Sequence, residues 1–84
     1  MKQKSRLHTV NVVRIDGSKV RSIRAFRDTP KGNRKAEKYF RCKITEFERV
    51  YGAGFSTEED FDHYLKNGAY TLHEGYAFYL IHSD

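Results

Sequence analysis

Ala36, Phe40, Ile44, Phe47 and Tyr51 recur at steps of three and four residues, the spacing that gathers side chains on one face of an α-helix. Arg34, Lys38, Arg41 and Arg49 fall on the opposite side. Lys43 lies near the middle of the apolar stripe, so its stem must snorkel or its ammonium must meet an acid. Thr29 stands where an N-cap would, with Pro30 at the first helical position. Asn33 is a second candidate cap, which would leave Pro30-Lys31-Gly32 in a loop. Gly52 and Gly54 mark the end. In a chain of 84 residues this stripe is the largest apolar surface any element offers, and it must be buried against another layer.

The flanking segments supply that layer. His8 to Ile15 is rich in β-branched residues, Val20 to Asp28 continues in strand-like style, and the two are separated by Asp16-Gly17-Ser18-Lys19, the chemistry of a β-hairpin turn. If Ile15 sits opposite Val20, then Val13, Ile15, Val20 and Phe26 share one face, and Val10, Val12, Ile23 and Ala25 the other. Both faces are half apolar, so one of them is free for the C-terminal part or for a partner. After the long helix, Ser56 with Glu59 forms a capping-box pattern ahead of Phe61, Tyr64 and Leu65, and Asn67-Gly68 closes that short helix. The last segment alternates around Glu74-Gly75, with Tyr70 and Leu72 on one arm and Tyr76, Phe78 and Leu80 on the other. The expected fold is a two-layer α+β domain of order ββααββ, the long helix packed on an antiparallel sheet. It spans residues 1–84 as a single domain, with 1–6 expected to be a flexible basic tail.

Charge is divided along the chain. Residues 1–43 hold fourteen Lys/Arg against three acids, a net of +11, whereas residues 44–84 hold two against eight, a net of −6. Like charges at that density repel one another unless the acidic half lies alongside or a partner neutralises them. Two outcomes are open: the halves neutralise each other through surface pairs of small energetic weight, or the basic half presents a coherent face to a polyanion or an acidic protein surface.

Two cationic groups stand out. Lys31, Arg34 and Lys35 crowd the start of the long helix, where the macrodipole favours anions. A phosphate or carboxylate docked on the exposed backbone N–H groups would relieve the mismatch, with Gly32 allowing close approach. Otherwise Asp28 and Glu37 neutralise the turn. On the first hairpin, alternation points Arg21 and Arg27 together and Arg24 away, with Arg14 joining Arg21. A ribbon face bearing Arg14, Lys19, Arg21 and Arg27 would follow a phosphate backbone or grip carboxylates. Tyr70, Tyr76 and Tyr79, near His73 and His82, could offer stacking faces, but core and rim packing is the stronger reading of such tyrosines, and the acidity of that region opposes nucleic acid.

Other chemistries find no support in these residues. The single cysteine, Cys42, has no disulfide partner within the chain, which suits a reducing compartment. No uninterrupted apolar segment occurs, so neither a secretory signal nor a membrane-spanning helix is expected. His8, His63, His73 and His82 lack metal-ligand spacing, and no nucleotide fingerprint or nucleophile elbow is present. A non-enzymatic role without cofactor or metal is expected.

The hairpin followed by Asp28-Thr29-Pro30, Gly32-Asn33 and a helix opening Ala36-Glu37 with Phe40, together with the closing Gly75–Ser83 segment, resembles a pattern in small proteins of phages and mobile elements. The resemblance implies an accessory protein acting in the host cytoplasm. Its expected role is an anti-CRISPR-like inhibitor whose basic face blocks an acidic or nucleic-acid-binding surface of a host defence complex. The expected contact residues are Arg14, Arg21, Arg24, Arg27, Lys31, Arg34, Lys35, Lys38 and Arg41. The alternatives are a DNA- or RNA-binding accessory protein and a homo-oligomeric structural module.

Overall fold

The computed structural model describes residues 8–52, 54–71 and 75–83; the expected basic tail and the expected strand position of Leu72 lie outside them. The elements run β1 (Thr9–Asp16), β2 (Lys19–Arg27), α1 (Pro30–Tyr51), α2 (Glu58–Asn67), β3 (Ala69–Thr71) and β4 (Tyr76–Ser83). The expected ββααββ order and α+β class are observed.

All strand pairs are antiparallel, in the order β2-β1-β4-β3. The first and last long strands are therefore the central pair, and the two hairpins are joined through them. The β1–β2 turn is tied to the other hairpin by the Gly17 N–H, which donates to the Gly75 carbonyl at 3.0 Å.

One face of the sheet carries Val10, Val12, Tyr70 and Phe78, and α1 lays Ala36, Phe40, Ile44 and Phe47 upon it. Phe61 of α2 completes the core. Full burial of a side chain of this kind contributes about 1.5–3 kcal/mol, so this cluster is the main source of stability. No helix among the described residues covers the other face, where Val20 is 68% and Ile81 46% exposed. No helix among the described residues is long and apolar enough to cross a membrane.

Both helices begin on a threonine. Thr29 caps α1, its Oγ1 accepting from the Gly32 N–H at 3.0 Å, so Asn33 is inside the helix rather than at its cap. The capping box of α2 is shifted by one residue from Ser56/Glu59: Thr57 Oγ1 accepts from the Asp60 N–H, and the Asp60 carboxylate accepts from the Thr57 N–H. Ser56 is employed elsewhere. Its N–H and hydroxyl both donate to the buried carboxylate of Glu48, at 3.0 and 2.6 Å, and the Tyr70 hydroxyl donates to the same group at 2.9 Å. Burial, then the bond to Glu48, pushes the Tyr70 hydroxyl well above the usual phenol range, so it remains a donor. Glu48 thus ties the loop before α2 to α1 and β3. Gly52 and Gly68 close the two helices in left-handed conformation.

Candidate polyanion-binding face

The hairpin arginines are sorted by one irregularity. Ile15 pairs with Val20 as expected, but the register shifts between Val12 and Val13, where Val12 opposes Arg24 and Val13 opposes Ser22. Ile23 is the extra residue of a β-bulge. Beyond it every side chain of β2 changes sides, because alternation has a period of two. Phe26 therefore joins the helix-covered face instead of sharing one with Val13. Arg24 joins Arg14 and Arg21 there, and Arg27 departs to the uncovered side. The expected ribbon of Arg14, Lys19, Arg21 and Arg27 is corrected accordingly.

Arg14 and Arg21 are direct cross-strand neighbours, a repulsive pairing in isolation. Asp16 separates them, one oxygen 2.9 Å from Arg14 Nε and the other 3.9 Å from Arg21 Nη2. The Arg14 guanidinium also lies 5.7 and 5.6 Å from the ring centroids of Phe47 and Phe78, within cation–π range. It is a packed, oriented group, whereas the Arg21 side chain is 71% exposed. Arg24 lies 5.3 Å from the Phe26 ring and 5.7 Å from that of Tyr39.

The outward side of α1 carries the second group. Lys31, Arg34, Lys35 and Lys38 are all exposed, and their three- and four-residue spacing makes them surface neighbours. Arg34, Lys38, Arg41 and Arg49 continue along a shallow groove of about 650 Å³ that also touches Leu65 of α2. From Lys31 to Arg49 the cations extend over about 27 Å at 1.5 Å per residue. Arg41 is partly withdrawn from this series: it donates to Glu58 at 2.6 Å and lies 4.5 Å from the Phe61 ring. Lys43 both snorkels and meets an acid, with Nζ 3.4 Å from Glu46 and 5.2 Å from the Tyr39 ring. Arg24, Arg27, Lys31, Arg34, Lys35 and Lys38 make no ion pair among the described residues.

The start of α1 is not an open anion site. Pro30 has no N–H, and that of Gly32 is taken by Thr29. Gly32 is required by the protein itself: a Cβ there would overlap the Arg27 carbonyl oxygen, so β2 abuts the first helical turn. Asp28 is likewise engaged, accepting from Asn33 at 2.7 Å and lying 3.0 Å from His82. The Asn33 hydrogen bond, followed by that of His82, holds its carboxyl below the usual range. The cations of the first turn therefore project outward from a closed cap.

The tyrosines of the C-terminal segment follow the core-and-rim alternative. Tyr70 is buried on Glu48, Tyr76 packs against Phe47 and Tyr51, and Tyr79 belongs to the uncovered sheet face; His73 lies outside the described residues. The tyrosine ring beside cations is instead that of Tyr39 of α1, near Arg24 and Lys43. Tyr51, expected in the core, is 56% exposed, because the stripe runs past the end of the sheet. Among the described residues no three His, Cys, Asp or Glu side chains come together as a metal site. Comparison of the chain with protein families, curated proteins and solved structures returns no match.

Proposed function

We propose that this chain is a non-enzymatic binding protein whose α1 face, extended by the arginines of β2, engages the phosphate backbone of a nucleic acid, free or held in a nucleoprotein complex. The observation that carries it is the row Lys31, Arg34, Lys35 and Lys38, exposed and without ion pairs among the described residues, running from a helix start where stability alone would place acids. A protein partner fits this row less well. Lysine is depleted at protein interfaces, whose energy comes from buried aromatic and apolar anchors, and the row contains none.

In its narrower form the protein is an anti-CRISPR-like inhibitor of phage type, reaching a host defence complex through the nucleic acid that complex carries. The resemblance supports that form; the charge geometry supports only the broader one.

Salt dependence is the test. Each phosphate neutralised contributes about −0.9 to the slope of log affinity against log salt on duplex DNA and about −0.7 on a single strand. Wild-type protein is expected to bind duplex or single-stranded nucleic acid with a steep negative slope, and Lys35→Gln with Lys38→Gln to lower its magnitude by about 1.8 on the duplex and about 1.4 on the single strand. A salt-independent affinity, or an unchanged slope in the double variant, would move the contact off α1.

A further inference from the structure

Beside the cationic row, β2 and the C-terminal half of α1 enclose a cleft of about 370 Å³, within the size range of small-molecule sites. Its floor is the Arg14 guanidinium with the rings of Phe47 and Phe78, held in place by Asp16. Tyr39 and Tyr51 border it, and Arg21 and Lys43 contribute two further cations. Glu46 is on the same wall, its carboxylate turned to Lys43. At the margin Val50 is 75% and Tyr51 56% exposed.

We propose that this cleft receives an unpaired nucleotide, the base laid against Tyr51 and the flanking phosphate on Arg21, so that the protein prefers single-stranded to duplex nucleic acid. The proposal rests on the nucleic-acid reading of α1 and specifies the form of its ligand. Three features converge on it. A base presents a flat π-face that stacks on an aromatic ring whatever its identity. Its phosphate requires a cation in the same cleft, and Arg21, which lines it, keeps most of its donors free because its one acid lies at 3.9 Å. Arg14 is already oriented by two rings and a carboxylate, so the floor need not be ordered when ligand enters. A duplex, with its bases stacked inward, has nothing to insert and meets only the phosphate-binding row.

The experiment is fluorescence anisotropy of the full chain with labelled oligothymidylate and with a duplex of equal length, at about 0.1 M salt. Oligothymidylate is expected to bind about tenfold more tightly, the worth of one stacked base. Tyr51→Leu keeps apolar bulk and is expected to remove that advantage while leaving duplex affinity unchanged; Tyr51→Phe, which keeps the π-face, is expected to retain it. Equal affinities in the wild type, or an equal loss on both probes in Tyr51→Leu with an unchanged melting temperature, would overturn the cleft while the α1 reading stands. Binding to neither probe would overturn both. Lys35→Gln with Lys38→Gln is expected to weaken both probes alike, which separates the row from the cleft.

Discussion

The two helices start alike and are charged in opposite ways. Thr29 and Thr57 supply the same cap to the same backbone positions. Behind Thr57 come Glu58, Glu59 and Asp60, which suit the positive end of the helix dipole; behind Thr29 the first turn holds no acid, and Lys31, Arg34 and Lys35 follow. One start follows the requirements of stability throughout. The other meets them in its backbone and contradicts them in its charges. The difference teaches that the cations of α1 do not serve the fold, which closes its cap without them.

Charge reversal at α1 breaks the comparison most severely. Lys31→Glu, Arg34→Glu and Lys35→Glu together make α1 resemble α2. Nucleic-acid affinity at about 0.1 M salt is expected to fall by roughly a hundredfold or more, while the melting temperature holds or rises. A drop in melting temperature would show that these cations support the fold.

Next come the supports behind each start. Gly32→Ala drives a methyl into the Arg27 carbonyl and is expected to cost about 3 kcal/mol, the upper end for overpacking. Glu48→Ala removes the acceptor of the Ser56 N–H and the Tyr70 hydroxyl and leaves the Ser56 hydroxyl only Tyr64, and a loss of about 3 kcal/mol is expected from the unsatisfied groups. Urea unfolding measures both; a loss below the effect of a cap would mean that the surrounding backbone relaxes.

Smaller again are the caps. Thr29→Ala and Thr57→Ala are each expected to cost about 1 kcal/mol, read as about 4–8 °C in melting temperature for a domain of this size. Their near equality sharpens the comparison, because it confines the difference between the helices to side-chain charge.

The smallest effect is acid dependence. Hydrogen bonds from the Thr57 backbone and then its side chain lower the Asp60 carboxyl from its ordinary 3.8. The folded state favours the carboxylate, so its contribution is complete above that ordinary value and is lost as pH falls through the lower folded one. Asp28 follows the same sign through Asn33 and His82. Asp60→Asn is expected to flatten the acid limb of a stability–pH curve between about pH 5 and pH 2, and an unaltered limb would assign it to other carboxylates.

Much of the fold was legible locally. Asp16-Gly17, Thr29-Pro30, Gly52 and Gly68 each mark a boundary by backbone chemistry that acts within a few residues, and all four act as expected. The capping box was ambiguous by one position because Ser56/Glu59 and Thr57/Asp60 both satisfy its spacing; the choice depends on Glu48, eight residues earlier in the chain than Ser56. The central place of β4 beside β1 is a long-range pairing with no local mark. The site was legible in its charges, since Lys31, Arg34, Lys35 and Lys38 stand outward as their spacing implied. It was not legible in its cleft: Tyr39 and Tyr51 sit at the margins of an apolar stripe, and only the extent of the sheet beneath decides which rings are covered.

Ile23 has a consequence beyond packing. Ser22 already opposes Val13 and Arg24 already opposes Val12, so loss of that one codon would straighten the strand and leave Arg24, Ala25, Phe26 and Arg27 on the faces they now occupy. Were Ile23 instead drawn into the ladder opposite Val12, all four would turn over together and the bare side of the sheet would receive a phenyl ring. One unpaired residue is thus inherited as a determinant of what the protein touches, on a par with the identity of any arginine it bears.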